Sequence, residues 1–262
     1  MKFGMPNLVE CEALLDCALL AKKLSIDFIE INMSFPDYAP GAFDVNSAKE
    51  IAEKYGLFYT IHADEALNPF DFNPRVSECY FEVMRDTLKV AKEIGARVVN
   101  LHLQKGIYVT LPGKVILLTD VYREKYLSIV RSFIGMCEKE LSGTDIKIAI
   151  ENVDSNAFTS SQLEALELFL KSECFALTLD TGHECKLKYS DSHIFEKYPE
   201  KILHMHLHDC DITGPHIPLG EGEVKINEKL RELCGDTCLI EVKTIDGLIK
   251  SVDYLKRKGM IL

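Results

Sequence analysis

Three features are missing from this sequence of 262 residues: a C-x-x-C pair, a Gly-rich turn behind the first apolar run, and a long uncharged apolar stretch. The nine cysteines are odd in number and irregularly spaced, with Cys234 and Cys238 the nearest approach to a pair, ahead of Cys11 and Cys17. A Cys-rich zinc knuckle needs closer pairs, so reduced cytosolic thiols acting as small apolar side chains are expected. No run approaches the ~18 apolar residues of a membrane span. The opening MKFGMPNLVECE has one lysine, then acids, and no apolar core before a small-residue cleavage site. It does not read as a signal peptide, and a cytoplasmic location is expected. Fifteen Gly and nine Pro are too few for a collagen-like or low-complexity chain. Positive charge is scarce as well: 30 Lys+Arg face 41 Asp+Glu, a net charge of −11. Such a surface repels phosphate backbones and anionic lipid at long range, so neither nucleic acid nor membrane is an expected partner.

What is present is a regular alternation. Short, often β-branched runs at Lys2–Met5, Phe28–Asn32, Tyr59–Ala63, Val98–Leu103, Ile146–Asn152, Ala176–Asp180, Ile202–His208 and Cys238–Val242 read as strands. Between them, Glu10–Leu24, Val45–Tyr55, Pro74–Ile94, Asp120–Leu141, Ser160–Ser172, His193–Lys197, Ile226–Leu233 and Ile245–Lys258 read as helices. Asp44 and Asn73 are N-caps for the second and third helices, and Gly95 is the stop of the third. Val76, Tyr80, Val83, Thr87, Ala91 and Ile94 are expected to form the buried face of that third helix. Eight strand–helix units without a linker predict one α/β domain over 1–262, a single (β/α)8 TIM barrel. An open doubly wound sheet is the alternative, but the turn after its first strand reads Met5-Pro6-Asn7-Leu8, not a Gly-rich phosphate loop. The long loop 104–119 has apolar runs flanking Pro112-Gly113. It is expected either as a hairpin serving as a lid or as a packed irregular loop.

Barrel strands are buried on both faces and should be nearly all apolar. Here the second through eighth end in Glu30, His62, His102, Glu151, Asp180, His206 and Glu241. Side-chain alternation lets each point into the barrel at its C-terminal end, where barrel enzymes place their active sites. Four carboxylates sharing one space repel each other and lose hydration, so a positive group is required. Imidazoles mixed with carboxylates suit a divalent cation, zinc or manganese first, with magnesium or cobalt as further options. His183, one turn beyond the sixth strand, and His216 are further ligand candidates, and His204 and His208 alternate with His206 along the seventh strand. His204, deeper in the barrel, and His193, on a helix, are assigned as satisfied core histidines. Glu30 is expected to accept a hydrogen bond from a ligand and orient it. His62 and His102 are expected to line a second metal position or to bind substrate oxygens, with a structural histidine pair as the alternative.

At Ile150-Glu151-Asn152, Leu179-Asp180-Thr181-Gly182-His183, His206-Leu207-His208-Asp209, His216-Ile217-Pro218-Leu219-Gly220-Glu221-Gly222 and Ile240-Glu241-Val242-Lys243 the chain resembles the xylose isomerase-like TIM barrels. These include sugar phosphate isomerases and epimerases and, more distantly, endonuclease IV. The isomerase/epimerase branch implies one divalent metal on Glu151, Asp180, His206 and Glu241. Such an ion chelates a sugar's carbonyl and neighbouring hydroxyl and acidifies the C–H between them. Glu151 and Glu241 would take and return the proton, and His183 would hydrogen-bond substrate oxygens. Lys243 and Lys105, with Lys186, are the cations available to a substrate phosphate.

The endonuclease IV branch implies three zinc ions instead: one on His62, His102 and Glu151, one on the four-residue set, and one on His183, His216 and an acid two residues before His216. Gly214 occupies that last place, with Asp209 or Asp211 as conceivable substitutes. The loops taken to follow the strands (33–44, 64–73, 104–119, 153–160, 181–192, 209–225 and 243–244) hold more acids than lysines and no arginine. DNA binding depends on Lys and Arg neutralising successive phosphates, so a sugar or sugar phosphate is the preferred partner. A metal-binding barrel without catalysis is the third alternative, and the composition is compatible with a homo-oligomer.

Overall fold

The computed structural model describes residues 1–260. The eight expected runs form parallel strands: β1 (Lys2–Pro6), β2 (Phe28–Asn32), β3 (Phe58–His62), β4 (Val98–His102), β5 (Lys147–Glu151), β6 (Phe175–Asp180), β7 (Ile202–Leu207) and β8 (Thr237–Ile240). Lys2↔Thr237, Phe3↔Cys238 and Gly4↔Leu239 pair β1 with β8 and close the barrel, which excludes the open sheet. The helices are α1 (Leu14–Leu24), α2 (Val45–Tyr55), α3 (Pro74–Ile94), α4 (Arg123–Glu140), α5 (Ser160–Leu170), α6 (Thr181–Lys186), α7 (Ser192–Lys197), α8 (Ile226–Lys229) and α9 (Ile245–Arg257). A separate turn, Leu118–Val121, precedes α4, so the expected helix 120–141 breaks at Tyr122. α6 was not expected from the sequence.

Local chemistry explains the helix ends. Asp44 accepts the Ser47 N–H at 3.0 Å to start α2, and Asn73 accepts the Arg75 N–H at 3.1 Å to start α3. Gly56 and Gly95 end these helices at φ +67° and +66°, a region that costs a residue without Cβ little. The buried face of α3 differs from expectation. Ser77, Phe81, Met84, Thr87, Leu88, Val90 and Ala91 are buried, Tyr80, Val83 and Ile94 flank them, and Val76 is exposed. A stripe through Phe81, Met84 and Leu88 buries larger side chains against the barrel than one through Val76 and Tyr80, and hydrophobic gain scales with the area buried.

The main apolar core lies between sheet and helices. Phe70, Phe133 and Phe169 meet there edge to face, with ring centroids 5.3–6.3 Å apart. The barrel interior is different. Its apolar part is small, with Val98, Ala149 and Ala176 packed by Leu203. Gly4 leaves room for Phe28, since a Cβ there would stand 2.1 Å from the ring. Phe28 stacks on Phe58 at 5.0 Å. Above them the lining is polar, with Glu30, Thr60, Asn100, Thr178 and His204 all buried. The polar zone therefore reaches below the strand ends, to the depth at which His204 was expected.

Tyr108–Leu111 and Lys114–Leu117 form an antiparallel hairpin in the long loop, so the packed irregular loop is not what forms. A second hairpin, Asp209–Asp211 with Gly214–Ile217, follows β7. Cys17, Cys137, Cys210 and Cys238 are buried as expected, whereas Cys79 and Cys234 are exposed, and all nine cysteines are unpaired thiols. Among the described residues no helix is long and apolar enough to cross a membrane.

Candidate metal centre

Alternation along β7 and just beyond it turns His204, His206 and His208 inward, and all three are fully buried. His206 Nδ1 stands 3.0 Å from Glu241 Oε2, 3.3 Å from Glu151 Oε1 and 3.8 Å from Asp180 Oδ2. Donors bound about 2.0–2.2 Å from one tetrahedral zinc are about 3.4 Å from each other. The four side chains expected from the sequence thus stand at ligand spacing, contributed by β5, β6, β7 and the end of β8. Both ring nitrogens of His206 and Oε2 of Glu241 are buried without an aligned hydrogen-bond partner. Buried polar atoms left this way cost about 1–3 kcal/mol each, and an ion among the donors removes that cost for His206 Nδ1 and Glu241 Oε2, while Nε2 faces Glu30. Oxygen and imidazole donors of this kind suit a divalent metal, and the residues present fit one.

The charges agree. Burial opposes ionisation of Glu151, but His206 and His102 hold its carboxyl well below the usual range. Burial also opposes ionisation of Glu241, which Lys243 and His206 hold down in the same way. Burial pulls the His206 pKa down, yet Glu151, Glu30 and Glu241 drive it well above the ordinary histidine value. The raised His206 value reports carboxylates that call for positive charge, and the lowered glutamates report the cations already beside them.

Local structure delivers these groups. Asp180 ends β6 and caps α6, its Oδ1 accepting the His183 N–H at 2.7 Å while Oδ2 faces the centre. Asn152, just past β5, clamps the Asp180 backbone at both ends: its Oδ1 accepts the N–H and its Nδ2 donates to the carbonyl, each at 2.9 Å. Lys243 stands 2.6 Å from Glu241 Oε1, which leaves Oε2 to His206. Glu30 lies in the middle of β2 and not at its end, one layer below the centre. Its Oε1 is 3.1 Å from His206 Nε2, and its Oε2 accepts from Thr60 at 2.8 Å and contacts His204 Nε2 at 3.1 Å.

Three histidines surround the centre in one orientation. His62, His183 and His216 each place Nδ1 against a backbone carbonyl, of Ala63, Asn152 and Glu241 respectively, at 2.7, 3.1 and 3.2 Å. An Nδ1–H donated there leaves Nε2 free to accept or to ligate. His62 Nε2 and His102 Nε2 lie 3.2 Å apart and 3.5 and 3.1 Å from Glu151 Oε2. His183 Nε2 and His216 Nε2 lie 3.4 Å apart. Burial lowers the His183 pKa, but Asp180, Glu151 and Glu241 outweigh it and raise it to about 10. Burial pushes His216 down to about 4. His216 also holds a left-handed backbone, φ +64°, which costs a non-glycine residue about 1–3 kcal/mol.

Several expectations are corrected. Asp209 is no substitute for the acid missing at Gly214. Its carboxylate accepts the N–H groups of Cys210, Gly220, Gly222 and Val224 at 2.8–3.0 Å and pins the Gly220-Glu221-Gly222 turn. Asp211 is bound to Thr213 in an exposed turn. His193 is exposed on α7, not in the core. Lys186 lies in a separate cleft with Lys188, Cys185 and Cys210. Asn100 was overlooked; its Nδ2 donates to Glu151 Oε2. Asn152 stood beside a named residue without a role. Amides carry no charge pattern; Asn152 had only its place next to Glu151 to point to it, and Asn100, 51 residues away, had no such signal.

The centre opens onto a cavity of about 310 Å³ lined by His62, Glu65, His102, Gln104, Lys105, Ser155, Asn156, His183, His216, Glu241 and Lys243, among others. A smaller cavity of about 100 Å³, lined by Asn7, Leu8 and Phe35, shares His62, Glu241 and Lys243 with it.

Residues 18–258 match the model of the xylose isomerase-like TIM barrel family. The chain belongs to that family. It is 26% identical over 215 residues to an uncharacterised protein of Methanocaldococcus jannaschii, covering 79% of this chain and 80% of that one. A solved structure described as a D-tagatose 3-epimerase-like protein is 26% identical and superimposes with a TM-score of 0.76 over 99% of this chain and 98% of the other. D-allulose 3-epimerase from Methylomonas sp., solved with D-allulose, is 14% identical with a TM-score of 0.73 over 100% and 97%. The IOLI protein, solved with a bound zinc atom, is 16% identical with a TM-score of 0.74 over 99% and 98%. At these last two identities the likeness is one of fold.

Proposed function

We propose that this family member is a metal-dependent sugar or sugar-phosphate isomerase/epimerase. The observation that carries the reading is a centre of carboxylates around His206, with buried atoms lacking partners, beneath a polar cavity of about 310 Å³. That volume is at the small end for ligand pockets and suits a monosaccharide. The epimerase names of similar structures support the same chemistry. Glu151, Asp180, His206 and Glu241 would hold a divalent ion, zinc or manganese foremost, whose charge polarises a sugar's carbonyl and adjacent hydroxyl.

The chain's own groups do the rest. Glu151 and Glu241 approach His206 Nδ1 through Oε1 and Oε2 respectively, from strands three positions apart around the barrel. One carboxylate takes the proton beside the carbonyl and the other returns one. Both carboxyls are held well below the usual range, as a general base requires, and the one that returns a proton must first draw it from solvent. His183, anchored at Nδ1 by the Asn152 carbonyl, presents Nε2 to sugar oxygens. Lys243 is engaged by Glu241 and serves that carboxylate first, while Lys105 lies on the cavity wall.

Incubation with divalent metal and a panel of ketoses, aldoses and their phosphates in D₂O should place deuterium on the carbon beside the carbonyl. One feature favours a second reading, zinc-dependent cleavage of abasic DNA: the grouping of His62 and His102 on Glu151. Against it stand Gly214 and the occupied carboxylates of Asp209 and Asp211. Cleavage of abasic DNA with every sugar left unlabelled would replace the first reading with the second.

A further inference from the structure

His208 breaks the pattern shared by His62, His183 and His216. Its Nδ1 receives the backbone N–H of His216 at 2.8 Å. The Asp209 carbonyl is also near, at 3.2 Å, but an N–H can only donate, so the shorter contact requires Nδ1 to be unprotonated. The ring's single proton then sits on Nε2, which lies 2.9 and 3.0 Å from Asp180 Oδ1 and Oδ2. With both nitrogens committed, His208 has no lone pair for a metal, although it lies within ligand distance of His183 and His216. Its ring stacks on His216 with centroids 4.1 Å apart. It also presses on α6: a Cβ at Gly182 would lie 2.0 Å from its Cε1 and 2.1 Å from its Nδ1. The φ of Gly182 is not in the left-handed region, so the need for glycine there is spatial.

We infer that His208 is a positioning residue: one imidazole fixes the carboxylate of Asp180 and the left-handed backbone of His216, and Gly182 is glycine to admit that ring. The hydrogen bonds stand independently of the proposed reaction; only the consequence for metal binding rests on it. Outer hydrogen-bond partners of metal ligands typically change affinity by about 10–100-fold.

The test is zinc titration against a chromophoric chelator with wild type, His208→Ala, His208→Gln, Gly182→Ala and the Gly182→Ala/His208→Ala double variant. His208→Ala and Gly182→Ala should each weaken zinc binding by about 10–100-fold. The double variant should bind no worse than His208→Ala, because the added methyl fills the space the ring has left. His208→Gln, which retains an N–H for Asp180, should recover most of the affinity. Additive losses in the double variant, or wild-type affinity in His208→Ala, would overturn the inference. Imidazole ¹H–¹⁵N spectra of the metal-free protein give a readout that needs neither metal nor substrate. Beside the neutral Nε2–H signal expected of His204, whose Nε2 faces the Glu30 carboxylate, they should show one for His208 that disappears in His208→Gln. That signal in a protein that takes up no zinc would refute the metal reading and leave the positioning intact. An Nδ1–H tautomer for His208 would refute the positioning whatever the zinc result.

Discussion

His204 and His206 sit two residues apart on one strand, equally buried, beneath the same rim, and have opposite surroundings. His204 is closed on both sides, with Nδ1 2.8 Å from Thr237 Oγ1 and Nε2 3.1 Å from Glu30. Burial lowers its pKa, as for a neutral ring in a finished hydrogen-bond network. His206 has carboxylates of Glu151, Asp180 and Glu241 around Nδ1 and no aligned partner on either nitrogen. Its pKa is driven the other way. Burial alone therefore does not separate a packing histidine from a functional one. What separates these two is completed hydrogen bonding together with the three carboxylates around His206 Nδ1, since an unpaired buried polar atom calls for an explanation.

Variants of the two layers should come apart in a defined order. The largest effect is expected in the upper layer, on chemistry. Glu241→Gln and Glu151→Gln should each slow deuterium exchange into the sugar by about 10²–10⁴-fold, the range for a lost general acid or base. NMR of the labelled product measures this, and exchange undiminished in both variants would remove the two glutamates from the mechanism.

Next comes metal removal. Chelation should lower the stability of wild type by about 4 kcal/mol relative to protein held in zinc at a thousand times its dissociation constant. In His206→Asn that difference should vanish, and elemental analysis should find little zinc. The comparison breaks if His206→Asn retains a full complement of metal.

His204→Leu should give the converse pattern. It strands Thr237 and weakens the hold on Glu30, at a cost of about 1–3 kcal/mol in urea denaturation, with zinc content kept. Thr237→Val is the mildest change. It removes only the hydroxyl at His204 Nδ1, and a loss of about 0.5–1.5 kcal/mol is expected with exchange activity unchanged. Zinc lost together with stability in His204→Leu would show that the two layers act as one network.

The strand order, the closed barrel and the four residues gathered at its mouth were legible because each follows from a rule within a few residues. Alternation places every second side chain inward, Asn73 and Gly95 mark helix ends with their own backbone chemistry, and three acids and a histidine ending four successive strands must converge when those strands close into a barrel. The contrast between His204 and His206 also followed from depth along the strand; the tertiary structure alone decided the depth of Glu30, the pinning role of Asp209 and the buried stripe of α3. Those depend on partners remote in sequence: Glu30 and His204 are 174 residues apart, and Asn100 and Glu151 are 51 apart. A sequence specifies which groups can donate or accept. Which of them are left without a partner is settled only when the barrel closes and the distances are set.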